Sequence, residues 1–167
     1  MDLELGRRAD YGIRAAIDLA RNHDAGSRRK AREIAEAMGI PATYVGQVLA
    51  ELVRAGLAAS TAGRYGGYRL AHHPGEVSLL AVIRAVDDEP GSAVCVLRGG
   101  PCGWEDVCAV HEPWLRAQQA MIDELDEVTL GEIIEIDDAL AEGDPPPDPL
   151  DAPSPRPPPP APARRAE

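Results

Sequence analysis

The segment from residue 95 to residue 111, CVLRGGPCGWEDVCAVH, contains all three cysteines of a 167-residue chain and one of its four histidines. The ligand spacing is Cys-x6-Cys-x5-Cys-x2-His, and flexible Gly- and Pro-containing pieces would let Cys95, Cys102 and Cys108 converge without strain. Thiolates are soft ligands that suit iron–sulfur clusters, zinc or copper(I). Three Cys with one His, here His111, is also a closed structural zinc set, so the residues by themselves leave zinc and a cluster as comparable interpretations.

The cellular compartment determines whether the cysteines are expected as reduced thiols or as a disulfide. The first ten residues, MDLELGRRAD, carry charges where a signal peptide would be apolar, and no apolar run of about 18 residues is available for a transmembrane helix. We therefore expect a cytoplasmic protein without a membrane partner, in which thiols stay reduced. Three cysteines also cannot all pair within one chain. A structural disulfide is thus the least favoured interpretation, and directly reactive thiols remain an alternative to a metal.

Charge is distributed unevenly along the chain, whose formal net charge is −11. Residues 1–75 hold 11 Lys and Arg against 8 Asp and Glu, whereas residues 76–141 hold 3 against 15. The first part is therefore free to approach a polyanion such as double-stranded DNA, although an excess of this size permits binding without demonstrating it. No Gly-rich nucleotide loop and no Ser/His/Asp pattern is present, which argues against an enzyme and against a small-molecule substrate.

The first 57 residues predict three helices, because apolar residues recur at helical spacing in three stretches. The strongest helical period belongs to the third helix, and only the linker GIPA separates this helix from the second one. Two short segments, LAAST and GYRLA, flank the turn AGRYGG and predict a β-hairpin. A helix-turn-helix followed by a small hairpin is a winged helix, whose third helix enters the major groove. The third-helix stripe consists of Val45, Val48, Leu49, Leu52 and Val53.

Polar residues off this stripe are candidate DNA contacts. Gln47 can bond adenine bidentately, while Thr43 and Tyr44 suit phosphates and methyl groups. Arg64 lies at the hairpin tip, where a cation could enter a narrow minor groove. A cationic cluster before the second helix would contact phosphates, and its members are Arg28, Arg29, Lys30 and Arg32.

Beyond the hairpin the sequence predicts further helices and a tail. Ser78 suits the N-cap of a helix that Pro90 ends, and a longer apolar stripe begins after Pro113. Thr129 and Glu132 form a capping box for a last helix. A long helix that is apolar on one face and acidic on the other is a natural dimer contact. The fold class is therefore mainly α with a small β-hairpin: a winged helix-turn-helix (residues 1–75), a Cys segment with dimerisation helices (76–141) and a disordered Pro-rich tail (142–167).

The order of these parts resembles the Rrf-two (Rrf2) family of winged-helix iron–sulfur transcription regulators, with its IscR-like and NsrR-like members. The resemblance rests on ADYGIRAAIDLA, AREIAEAMGIPATYVGQVLAELVRAGL and GGYRLAHHPGEVSLLAVIRAVD, followed by three spaced cysteines. It covers about residues 1–140. It implies a homodimer that binds DNA, with a [2Fe–2S] or [4Fe–4S] cluster on Cys95, Cys102 and Cys108 that adjusts operator affinity. A same-fold regulator with zinc or reactive thiols is the alternative, and an iron–sulfur electron carrier is a third.

The resemblance offers two candidates for the fourth cluster ligand. In IscR-like members a His three positions after the third Cys has this role, which implies His111. In NsrR-like members an Asp of the N-terminal helix has it, which implies Asp10 of the partner subunit. The chain also departs from the family, because Gly46 stands where other members often carry Glu in the third helix, and Ala62 where a wing Arg is common. The operator is therefore expected to differ from those of known members.

Overall fold

The computed structural model describes residues 5–24, 26–87 and 109–143. Internal contacts divide the chain into two compact units, Met1–Glu135 and Ile136–Glu167. The predicted class, mainly helical with one antiparallel hairpin, is confirmed. The elements are α1 (Arg7–Arg21), α2 (Ala31–Met38), α3 (Ala42–Arg54), β1 (Ala58–Thr61), β2 (Gly67–Leu70), a 3-10 turn (Pro74–Glu76), α4 (Leu79–Val86), α5 (His111–Glu127) and α6 (Leu130–Glu142).

The first three helices pack around one apolar core, as the periodicity predicted. Leu19 of α1, Ile34 of α2 and Leu49 of α3 are all fully buried in it. Gly39 ends α2 in the left-handed region, at φ 63°, where glycine has no Cβ to clash. Pro41 then occupies the N-cap of α3, where its missing backbone N–H removes no hydrogen bond within the helix. The turn of the helix-turn-helix thus has a glycine at the end of α2 and, two residues later, a proline at the start of α3.

Two glycines set the path of the hairpin, in which Ala58 pairs with Leu70 and Thr61 with Gly67. A Cβ on Gly66 would lie 2.1 Å from the carbonyl oxygen of Thr61, and one on Gly67 would lie 2.7 Å from that of Arg29. The second approach exists because the backbone N–H groups of Arg29 and Tyr68 each donate to the other's carbonyl over 2.8 Å. The segment before α2 is therefore hydrogen-bonded to the hairpin like a short third strand.

Helix α4 packs against α1 and α3 and completes the apolar core. The Ser78 hydroxyl caps its N-terminus and accepts from the backbone N–H of Ala81 over 3.1 Å, as predicted. Its buried face includes Leu80, Ile83 and Val86. A Cβ added at Gly12 of α1 would lie 2.6 Å from a Val86 methyl carbon, so the two helices touch where only glycine fits.

Helices α5 and α6 follow the predicted order, although α5 begins at His111, so that Pro113 lies in its first turn. No residue of α5 is buried. Hydrogen bonds from Leu79 N–H to the Val128 carbonyl (2.8 Å) and from Leu130 N–H to the Val77 carbonyl (2.9 Å) clamp the start of α4 to the start of α6. Within the described ranges, no helix has both the length and the apolarity needed to cross a membrane.

The Thr129–Glu132 capping box is also confirmed. A Glu132 carboxylate oxygen accepts from the Thr129 N–H (2.8 Å) and from its hydroxyl (2.9 Å), and the hydroxyl accepts from the Glu132 N–H over 3.3 Å. The hydrogen bonds from the Thr129 backbone and hydroxyl lower the pKa of Glu132. The cysteines and the Pro-rich segment, for which a metal site and disorder were predicted, lie outside the described residues.

Candidate nucleic-acid interface

The outer face of α3 carries the predicted reading residues. Thr43, Tyr44 and Gln47 are all exposed, because the apolar stripe turns the opposite side of the helix into the core. The ring of Tyr44 lies 5.5 Å from that of Tyr11 in α1, which limits its freedom. Gly46 is exposed between them, and a Cβ built on it would find no atom within 4 Å. At Gly46 this face of α3 therefore has no side chain, and the space beside its polar residues is open.

A buried carboxylate that the sequence analysis did not single out lies beneath Gln47. Glu51 is 7% exposed, forms an ion pair with Arg8 of α1 and accepts from Gln47 Nε2 over 3.3 Å through the same oxygen, Oε1. Among the described residues, its other oxygen has no hydrogen-bond partner. The sequence signal was available, since residues four apart on a helix are neighbours on one face.

The hairpin tip presents a cation and an aromatic ring together. The Arg64 guanidinium carbon lies 5.8 Å from the centroid of the Tyr65 ring, within cation–π range. Tyr65 is 85% exposed and was also not singled out from the sequence. Arg64 and Lys30 line a cavity of about 610 Å³ between the hairpin and the start of α2. Two cations therefore border one concave surface between the hairpin and α2.

The cationic cluster before α2 divides into different roles. Arg28 Nε donates to the Thr61 hydroxyl over 3.1 Å and remains exposed, as does Lys30. Arg29 instead makes two hydrogen bonds of 3.0 Å to Asp18, which is only 4% exposed. The hydrogen bond to Asp18 raises the pKa of Arg29, and burial opposes that rise less strongly.

This ion pair corrects the sequence interpretation of Arg29. Arg29 is a structural partner of α1, with its donors turned inward, rather than a phosphate clamp. Arg32 is exposed but pairs with Glu36 over 2.7 Å, and that hydrogen bond raises its pKa. Arg28, Lys30 and Arg64 remain the candidates for backbone contacts.

The two candidates for a fourth cluster ligand have different surroundings. His111 is half-exposed in the first turn of α5, and its imidazole makes no hydrogen bond or ion pair to the residues that the structure describes. An Asp10 carboxylate oxygen accepts from Arg14 Nε over 2.8 Å. No three His, Cys, Asp or Glu side chains come together within the described part of the chain, from which the three cysteines are absent.

Comparisons with known proteins agree with this geometry. The sequence profile of the Rrf2 family, described as iron-dependent transcriptional regulators, matches residues 5–136. The HTH-type transcriptional regulator IscR of Cronobacter sakazakii is 32% identical over 142 residues, which cover 85% of this chain and 86% of the relative. The structure of CymR, the global cysteine regulator of B. subtilis, has a TM-score of 0.67 and 26% identity over 80% of this chain and 98% of that one. The T. potens IscR structure has the same TM-score and identity over 85% and 93%.

Proposed function

From the premise that this chain belongs to the Rrf2 family of transcriptional regulators, we propose that an iron–sulfur cluster sets its affinity for operator DNA. The relatives of this chain already support a transcription regulator, a protein that binds DNA and is not an enzyme. The proposal concerns the cluster. The single observation that carries the cluster proposal is the donor set: three cysteines within the 16 residues before His111, the first residue of α5, in a family described as iron-dependent.

The proposed DNA contacts combine groove reading with phosphate binding. Thr43, Tyr44 and Gln47 read the major groove from α3, in agreement with their exposure. Arg28, Lys30 and Arg64 neutralise phosphates or enter the minor groove beside it. Residues 1–75 would thus read the operator, whereas residues 76–141 would carry the sensor and the dimer contact.

The residues present fit a cluster chemically. Cys95, Cys102 and Cys108 would supply three thiolates, and His111 would supply the fourth ligand as a neutral imidazole. Asp10 of the partner subunit is the alternative, but the same side chain is already bonded to Arg14 in this chain. His111 has no such competitor among the described residues, which favours it. A bound cluster would supply a group that reacts with oxygen or nitric oxide.

The proposed dimer uses α5. A 17-residue helix without one buried residue obtains little of the tertiary packing that normally stabilises helices in water. Its half-exposed residues after Pro113 share one mainly apolar stripe, and Leu115 beside them is 45% exposed. A second copy of the chain is the natural cover, since helix-turn-helix proteins usually read paired half-sites. The stripe consists of Trp114, Gln118, Met121, Ile122 and Leu125.

This arrangement suggests how sensing would reach DNA. His111 starts the helix that would meet the partner, so a change at His111 would alter how two copies of α3 are spaced. A coupling of about 1–3 kcal/mol would change operator affinity roughly 5- to 150-fold.

Anaerobic purification tests the cofactor. We expect a brown or red protein with iron and sulfide near stoichiometric amounts, and a Cys102→Ala variant that loses both. Colourless protein containing zinc would favour the structural zinc alternative, and metal-free protein would favour reactive thiols.

Binding assays test the coupling. Cys102→Ala should change affinity for a site enriched from random duplex DNA, and Arg64→Ala should weaken DNA binding while the iron content is retained. Identical affinity of loaded, apo and Cys102→Ala protein would contradict the sensor role. Iron-loaded protein without salt-dependent DNA binding would instead indicate an electron carrier.

A further inference from the structure

We infer that Glu51 fixes the orientation of the Gln47 side-chain amide, so that α3 presents a hydrogen-bond acceptor to the DNA and selects an amino-bearing base. The inference deepens the proposed function and rests on it. It makes Glu51 a positioning residue that determines specificity without touching DNA itself. The geometry behind it is the bond from Gln47 Nε2 to Glu51 Oε1, 3.3 Å long, on a carboxylate that is almost fully buried.

The chemistry of the partners leaves one orientation. An ionised carboxylate can only accept hydrogen bonds, whereas a glutamine amide has an accepting oxygen at one end and a donating NH2 at the other. The NH2 of Gln47 must therefore face Glu51. Its Oε1 and its second N–H are then the groups that remain for another partner. An amide without such a neighbour could turn over and present either end.

Arg8 keeps this constraint in place. The ion pair of Arg8 with Glu51 compensates the buried negative charge, and it comes from α1, so the carboxylate is held from outside its own helix. Glu51 follows Gln47 by four residues and lies next to it, about one turn further along the same face of α3. Because the bonding oxygen is shared by Arg8 and Gln47, the carboxylate has little freedom to turn away.

The fixed acceptor makes a prediction about the base. In the major groove adenine and cytosine offer amino donors, whereas guanine and thymine offer only acceptors at the corresponding edge. The oxygen of Gln47 can accept from either amino group, and its remaining N–H can also reach adenine N7. The base opposite Gln47 should therefore be adenine or cytosine, with adenine preferred because it allows both bonds.

The test measures base preference. A site is first enriched from random duplex DNA with wild-type protein, and the position read by residue 47 is identified as the one whose preference disappears in Gln47→Ala. Affinities are then measured by fluorescence anisotropy for four duplexes that differ at this position. We expect wild-type protein to favour the amino-bearing bases by about 5-fold or more. In Glu51→Met, which removes the acceptor but keeps an unbranched buried side chain, the preference should fall to within about 2-fold.

Matched controls separate this effect from lost charge and lost structure. Glu36→Met makes the same chemical change on exposed α2 and should keep the preference. If Glu51→Met does not fold, wild-type protein is tested on a duplex with purine riboside, which lacks the 6-amino group, in place of adenine. Affinity should then fall about 5-fold, but not in Gln47→Ala.

Several outcomes would overturn the inference. An enriched guanine or thymine at this position, an unchanged preference in Glu51→Met, or full affinity for purine riboside would each show that the amide is not held as argued. In these cases the protein would still be a sequence-specific regulator, so the proposed function would survive. Failure of wild-type protein to enrich any site would defeat both.

Discussion

Helices α3 and α5 are both long and amphipathic, yet the chain treats their apolar faces differently. Four apolar residues of α3, among them Leu49 and Leu52, are buried in the core, whereas α5 buries none of its 17 residues. The polar face of α3 therefore remains exposed to a ligand, because the apolar face of the helix is buried within the same chain. The apolar face of α5 is only half-buried, although the helix contacts α4 of the same chain.

The difference shows where each helix obtains its stability. An amphipathic pattern states that a helix has an apolar face, but it does not state which molecule covers that face. For α3 the cover is α1, α2 and α4 of the same chain, and what remains outside can be devoted to a ligand. For α5, we propose that the cover is a second copy. Four experiments with substituted proteins test this contrast and the elements around it, beginning with the largest expected effect.

Leu49→Ala and Leu125→Ala form the most direct test. Leu49 is fully buried, so its truncation should lower the free energy of unfolding by about 2–5 kcal/mol at any protein concentration. Leu125 is half-exposed in α5, and its truncation should matter only where copies associate. Urea denaturation at several protein concentrations checks both. An equally large, concentration-independent loss in Leu125→Ala would show that α5 is packed within its own chain.

Met121→Asp should separate the proposed dimer. A carboxylate in the middle of an apolar contact must be desolvated without a partner, which disfavours association. We expect light scattering to report a monomer, and DNA affinity to fall about 10-fold or more because the two half-sites are no longer read together. Gln119→Asp, on the exposed face of the same helix, is the control and should remain dimeric.

Gly46→Ala sharpens the account of α3. Because an added Cβ meets nothing within 4 Å, alanine should stabilise the helix by up to about 1 kcal/mol. Gly66→Ala is the counterexample, since its Cβ would lie 2.1 Å from a backbone oxygen and should destabilise the hairpin. Thermal unfolding measures both. A destabilised Gly46→Ala protein would contradict the open space around this glycine.

Glu132→Gln should give the smallest effect, and one that depends on pH. Hydrogen bonds from Thr129 lower the pKa of this carboxyl below its ordinary 4.5, so the ionised form stabilises the fold above that pH. The contribution is lost as the pH falls through the lowered value, where the protonated carboxyl resembles the amide. The gap in melting temperature between wild type and variant should therefore close in acid.

Local rules were sufficient to predict most of the fold. Helical periods, the Ser78 cap and the Thr129–Glu132 box act between residues close in sequence, so their signals are visible in the sequence alone. The start of α5 was placed late, since Pro113 is as compatible with a first turn as with a boundary. The family resemblance, which rests on longer stretches of sequence, was confirmed by the comparisons.

The candidate site was predicted less completely, because its details depend on contacts between distant residues. Arg29 looked like any cation beside Arg28, and only the buried Asp18 from α1 makes it structural. Glu51 was not singled out from the sequence, because its ion pair is with Arg8 of α1, 43 residues away. Tyr65 carries no periodic signal at all. The ligand roles of Cys95, Cys102, Cys108 and His111 stay predictions.

The clamp between Val77–Leu79 and Val128–Leu130 has a practical consequence. The backbone of residues 77–79 is therefore joined directly to that of residues 128–130. The α4 side is anchored by buried Leu80 and Ile83, and the α6 side by fully buried Leu130. A protease that cuts the chain once between these anchors would leave two fragments that stay associated until a denaturant separates them.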